Sequence, residues 1–287
     1  MRSSTSSLSR LLSGLSLAAL ALLGACGGDG GNPGGPSGPG PDNTDPDPIP
    51  APPSIQGRAL FGLTCANQLV LFGSSNSSSL ARAVPISGMP AGAVMLGIDF
   101  GPGGLYGVGS DSRVYTVDTL SGAASSVGGT FTPAASGEHF GLTFDAAGTR
   151  LYLSGVESNW NQGLDPSTGA ASGAGVELAY AAADAHAGVD AAVAGEAQYG
   201  STLYGIETNA NAVVSVSPET GEMTTVGDLP FNIYVCSGMD VASDGTAFAS
   251  LSTDGGSELY QIDLETGGAS YLGAIAGSPV HSLAIRP

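Results

Sequence analysis

From residue 58 onward, short apolar runs alternate with clusters of Gly, Pro, Ser and Asp. The clearest unit is 97–128, GIDFGPGGLYGVGSDSRVYTVDTLSGAASSVG, which holds four such runs. Short runs bounded by turn residues predict a four-stranded meander. Val114-Tyr115-Thr116-Val117-Asp118 shows the two-residue alternation of a strand. Three markers repeat the unit. An aromatic follows Leu or Ala at Phe61, Tyr106, Tyr152, Tyr204 and Phe248, at intervals of 45, 46, 52 and 44 residues. A [D/S]-x-x-[S/T]-G turn follows the third run at Asp118–Gly122, Asp165–Gly169, Ser217–Gly221 and Asp263–Gly267. Asp or Ser accepts a backbone N–H two residues on, and Gly supplies the positive φ that ends the turn. A first-strand motif recurs at Gly97-Ile98-Asp99, Gly141-Leu142-Thr143, Gly188-Val189-Asp190, Gly238-Met239-Asp240 and Ser282-Leu283-Ala284.

The two ends of the repeat region complement each other. Ser282–Pro287 matches a first strand with no second strand after it, and Arg58–Phe61 matches a second strand with no first before it. Joining them completes a unit, which is how a ring of blades closes without an open edge. The pattern predicts an all-β, five-bladed β-propeller. Blade 1 is 58–88 with 279–287, and blades 2 to 5 are 93–129, 138–178, 186–228 and 234–276. Blade 4 has the least regular pattern, because 181–197 is Ala-rich and reads as a short helix or an irregular strand.

Composition supports the β reading. The chain has 46 Gly, too many for a helical protein, since Gly in a helix costs about 1 kcal/mol against Ala. It has 42% hydrophobic residues, which excludes wholesale disorder. Seven Arg and no Lys stand against 25 acids, a formal net charge of -18. Nucleic-acid binding relies on cations that neutralise phosphates, so this class of partner is excluded.

The N-terminus changes the picture from a domain to an address. Arg2 and Arg10 precede an apolar stretch, Leu11–Leu23, too short to span a bilayer. Residues 1–25 read as a secretory signal. Leu23-Gly24-Ala25-Cys26 resembles the bacterial lipobox, which implies a diacylated Cys26 and a lipid-held protein. Gly27 in place of Asp resembles the pattern sorted to the outer membrane in Gram-negative cells. Losing Arg2 and Arg10 leaves five cations against 25 acids, so the lipid, not a basic patch, must supply the membrane contact. Residues 26–57 read as a disordered tether, with nine Gly and nine Pro in the 31 residues after Cys26.

Candidate chemistry is sparse. Cys65 falls between the second and third strands of blade 1, and Cys236 at the start of blade 5. Those loops share a face of the ring, so a disulfide between them would clamp its closure; two separate buried thiols are the alternative. Asp99, Asp190 and Asp240 fill one repeat position on first strands, with Thr143 and Ala284 at the other two. Such carboxylates either bond backbone in the adjacent blade or hold a channel cation such as Ca²⁺ through oxygen ligands. His139, His186 and His281 show no metal or acyl-transfer spacing. Glu138 beside His139 is the best acid/base dipeptide. Trp160 reads as blade packing or a sugar-stacking platform.

ALFGLTCANQLVLF (59–72), MLGIDFGPGGLYGVGSDSRVYTVDTLSGAASSVG (95–128) and FGLTFDAAGTRLYL with LDPSTGA (140–170) resemble the bacterial secreted family catalogued as domain of unknown function 4394. The resemblance covers most of 59–287. It implies a β-propeller-like extracytoplasmic domain and no assigned activity. The expected function is a membrane-anchored envelope lipoprotein. It would be a non-enzymatic scaffold, or a module that binds a glycan, small molecule or protein through its loop face. The alternative is a lactone- or glycan-directed hydrolase with a channel cation held by the Asp residues.

Overall fold

The computed structural model describes residues 53–287. Five antiparallel sheets form the ring. Blade 1 holds β1 (Ala59–Thr64), β2 (Gln68–Gly73) and β3 (Arg82–Pro85). Blade 2 holds β4 (Met95–Gly101), β5 (Gly104–Gly109), β6 (Arg113–Val117) and β7 (Ala124–Val127). Blade 3 holds β8 (Phe140–Phe144), β9 (Leu151–Gly155), β10 (Trp160–Leu164) and β11 (Val176–Glu177). A short β12 (Ala179–Tyr180) leaves blade 3 and pairs in parallel with the outer strand of blade 4. Blade 4 is β13 (Val193–Tyr199), β14 (Thr202–Glu207), β15 (Ala212–Val216) and β16 (Glu222–Asp228). Blade 5 is β17 (Tyr234–Val241), β18 (Ala247–Thr253), β19 (Gly256–Ile262) and β20 (Ala269–Ala274). The last strand, β21 (Val280–Ala284), pairs with β1 and completes blade 1, as the sequence predicts.

The alternation within strands has a double purpose. In blade 1, Leu60, Val70 and Phe72 pack toward blade 5, while Phe61, Leu63, Leu69 and Leu71 pack toward blade 2. Both faces of a blade are therefore buried, and its central strands read as nearly continuous apolar runs. Five such cores fill the ring, one between each neighbouring pair. Between blades 3 and 4 the composition changes. Tyr152 is the sole residue of the blade 3 strands in that apolar cluster, joined by Leu178 just beyond β11. Ser154, Asn161 and Glu196 are buried there instead.

Glycine sets two close approaches. At the waist of the channel the inner strands present Gly97, Gly141, Gly195, Gly238 and Ser282 at one register position. A Cβ on Gly195 would stand 2.7 Å from the Met239 nitrogen, and one on Gly238 2.6 Å from the Ser282 Cα. The second approach lies at the rim. Gly122, Gly169, Gly221 and Gly267 of the repeated turn all have φ between 72° and 75°. A Cβ at Gly122, Gly169 or Gly221 would meet the backbone carbonyl of Pro85, Val127 or Glu177 in the preceding blade. The turn motif is thus also an inter-blade contact.

Blade 4 departs from its predicted register. Its inner strand is Val193–Tyr199, not the segment around Gly188-Val189-Asp190. Gly188 has open space around it and φ of +88°, so it is a loop glycine. Gly195 occupies the waist, and Ala197, opposite Tyr204, takes the place that Asp99 holds opposite Tyr106. Of the two readings for 181–197, the irregular strand holds in β13, whose register shifts between Val193 and Gly195, and the residues before it form turns rather than a short helix. Glu207 secures them: its Oε1 accepts the Ala192 N–H at 2.8 Å, and its other oxygen accepts from the Tyr180 hydroxyl at 3.2 Å.

Closure is fastened on both faces. The Cys65–Cys236 disulfide joins blades 1 and 5 across 171 residues of sequence. On the opposite face Arg58 pairs with Asp244. The chain is already bonded to blade 1 at the end of the predicted tether. The Asn76 side chain donates to the Ser54 carbonyl at 2.9 Å, and its Oδ1 accepts the Gln56 N–H at 3.0 Å.

Candidate functional site

The inner strands run in one direction through the ring, so their starts and their ends form two mouths. The ends carry Asp99, Thr143 and Asp240. Asp99 accepts the N–H of Phe144 at 2.6 Å with one oxygen and that of Phe100 at 2.6 Å with the other. Asp240 accepts from Ile285 at 2.6 Å and from Val241 at 2.7 Å. Both inter-blade bonds reach 45 residues ahead, one repeat, into the next blade. Thr143 does the same more weakly, accepting the Gln198 N–H at 3.2 Å. Burial pushes the Asp99 carboxyl up to about 7 against the opposing pull of these N–H groups. Asp240 is raised well above its ordinary value by burial and by the Asp99 charge. This aspartate mouth opens into a cavity of about 310 Å³, also lined by Asp145, Gln198 and Ser243.

The predicted trio does not assemble. Asp99 and Asp240 approach one another, but Asp190 is exposed on the loop before β13, where its carbonyl accepts from Asn209 at 2.9 Å. The register correction in blade 4 is the reason. Among the described residues no group of three His, Cys, Asp or Glu is placed to share a metal ion. Cys26 lies outside the described residues.

The other mouth, beside the Cys65–Cys236 disulfide, has different chemistry. It opens into a cavity of about 360 Å³ lined on one side by Val94, Met95 and Leu96 and on the other by Glu138, His139 and His281. His281 lies within β21 and is 7% exposed. Its Nδ1 is buried with no hydrogen-bond partner among the described residues. Burial, aided by the nearby His139 and opposed by the Thr64 backbone carbonyl, pushes the ring down to about 4, so it is neutral at neutral pH. His139 is held from outside: its Nδ1 lies 2.6 Å from Glu157 Oε1. The other Glu157 oxygen accepts the N–H groups of Glu138 at 3.2 Å and His139 at 3.3 Å. Burial would raise the Glu157 carboxyl, but these bonds outweigh it and hold the group below its ordinary value.

Glu157 therefore supplies the partner that the Glu138–His139 dipeptide lacks in sequence. Local spacing does not reveal it. The hairpin register Phe140↔Gly155 does, because it carries 139 and 157 to the same end of blade 3. His186 stands apart, paired with Asp228 at 2.8 Å. The Trp160 ring covers Gly175, where a Cβ would fall 1.9 Å from it, so this residue packs within blade 3.

A closed ring of five four-stranded blades, with one blade built from both ends of the chain, defines a β-propeller. The chain belongs to the family described as Domain of unknown function (DUF4394), which matches residues 68–284. Among solved structures it is similar to a protein of unknown function from Bacteroides caccae. That match has a TM-score of 0.50 and 8% identity, and covers 81% of this chain and 100% of that one. It is also similar to a virginiamycin B lyase from Staphylococcus aureus bound to quinupristin, at TM-score 0.45 and 14% identity, over 76% and 67% of the chains. A chain of a nidogen/laminin complex matches at TM-score 0.48 and 9% identity, over 80% and 98%. These likenesses concern the fold. No curated protein matches.

Proposed function

We propose that this protein is a lipid-anchored, extracytoplasmic binding module that takes its ligand at the disulfide mouth of the propeller. The supporting observation is His281, a residue that lines an open cavity while its Nδ1 is buried without a hydrogen-bond partner. A buried polar atom without a partner costs about 1–3 kcal/mol, and a functional role is one reason to retain it. The aspartate mouth offers no comparable atom, because Asp99 and Asp240 are occupied by the next blade. The chain joins the ring at Arg58, on the aspartate face, which leaves the disulfide mouth on the opposite side. Cys26 carries the lipid, and Gly27 favours the outer membrane in a Gram-negative cell.

Two experiments test this reading. Palmitate labelling of the full chain is expected for the natural sequence and lost in Cys26→Ser; labelling that persists refutes the anchor. For the site, a thermal-shift screen of sugars, lactones, amines and peptides is run on the natural protein and Val94→Trp. Val94 is 44% exposed at the cavity wall, so the substitution blocks the mouth without opening the core. Ligands are expected to stabilise the first and not the second. Turnover of a lactone or glycan would replace binding with hydrolysis.

A further inference from the structure

We infer that the disulfide mouth selects small amphipathic ammonium ligands, an apolar tail bearing a primary amine. This rests on the mouth being the ligand site and adds the ligand's charge and shape. The cavity divides into two walls. Val94, Met95 and Leu96 form an apolar side beside Cys65. The polar side carries Glu138, whose carboxylate is exposed, and the neutral ring of His281.

The exposed carboxylate favours a donor on the ligand, because a carboxylate only accepts. Asn67 Oδ1 and Ser110 Oγ, also on the lining, accept the N–H groups of Met95 and Val94, each at 3.0 Å, which leaves their own amide and hydroxyl hydrogens as neutral donors and Glu138 as the charged acceptor.

The charge argues in the same direction. No Arg lines the cavity. Arg113, at the start of β6, is paired with Asp111 at 3.3 Å. The carboxylate of Glu157 is committed to His139. Glu138 is left as the uncommitted charge, within a chain of formal net charge -18. An anion would meet repulsion from Glu138, whereas an ammonium would meet its counter-charge. A volume of about 360 Å³ lies at the lower end of the range for small-molecule pockets.

The test is a titration of hexylammonium, hexanol and hexanoate into the folded protein, followed by imidazole NMR of His281. Hexylammonium is expected to shift the His281 signals and to bind roughly tenfold tighter than hexanoate. Glu138→Gln, an exposed substitution, should weaken the amine roughly threefold, as for a surface charge pair. Val94→Arg should weaken the amine and strengthen hexanoate. If hexanoate or hexanol binds as well as the amine and shifts His281, the charge selectivity is wrong while the site stands. If none of the three shifts His281, both the selectivity and the site fail.

Discussion

The two mouths of this channel are built from the same strands, one residue pattern repeated five times, yet they differ in what their polar groups do. At the aspartate mouth the polar side chains sit on the repeat: Asp99, Thr143 and Asp240 each reach a backbone N–H in the next blade. At the disulfide mouth they sit off it. His281 occupies a position where blade 2 has Leu96 and blade 3 has Phe140, next to the small waist residue. A polar group that recurs with the period serves the period. One that breaks it, is buried and lacks a partner is a candidate for something other than folding.

The largest expected effect falls on the fastening beside the disulfide mouth. Replacing Cys65 and Cys236 together by Ala should lower the unfolding free energy by about 4 kcal/mol, measured by urea denaturation. A loss below about 1 kcal/mol would show that strand pairing between β21 and β1 closes the ring unaided.

The waist that separates the mouths gives the next effect. Gly195→Ala must displace Met239 backbone and should cost about 3 kcal/mol. Gly188→Ala meets no atoms and bears only the left-handed backbone, at about 1 kcal/mol. Equal losses would contradict the assignment of β13 as the inner strand of blade 4.

A third comparison uses pH. Asp99 and Glu196 are both pushed by burial to about 7, above ordinary carboxylates. Between their unfolded values and about 7 the folded protein holds protons that the unfolded chain releases. Their stabilisation is complete at the acid end and is lost as pH rises through about 7. His281 acts in the opposite sense: with its ring lowered from 6.5 to about 4, stability falls as pH drops through that interval. The two raised carboxyls outweigh the one imidazole, so the melting temperature should fall as pH rises from about 5 to 7, and it falls again in stronger acid as carboxylates held below their ordinary values, such as Asp165 and Asp263, are protonated. Glu196→Gln should flatten the alkaline limb by about 2–3 kcal/mol between pH 5 and 8. An unchanged limb in that variant would mean that Glu196 titrates normally despite burial against Ser154 and Asn161.

The smallest effect is expected from Ca²⁺. With Asp190 elsewhere and both remaining carboxylates bonded to backbone, millimolar calcium should leave the melting temperature within about 1 °C. A larger rise, abolished in Asp240→Asn, would restore a cation to the aspartate mouth.

Much of the ring is legible in sequence because turn chemistry and packing impose the same residues on successive blades. Asp118, Asp165 and Asp263 mark their turns through bonds to the residues two positions on, and the glycines that follow press on the neighbouring blade. The latch at Ser282–Ala284 and the pairing of Cys65 with Cys236 follow once the blades are counted. Blade 4 misleads because Gly188-Val189-Asp190 imitates the inner-strand motif in a loop, while the true strand has Glu196 at the apolar position between Gly195 and Ala197. The disulfide mouth stays hidden for another reason. His139, Glu157 and His281 are distant in sequence and follow no period, so only folding brings them to one end of the channel.

The division between a structural mouth and a receptive one can be read in a single titration. Hexylammonium is added to protein labelled at both the imidazole and the Asp carboxyl carbons. The account predicts that His281 shifts in a saturable manner while Asp99 and Asp240 stay still. Shifts at Asp99 and Asp240 with His281 unmoved would contradict it.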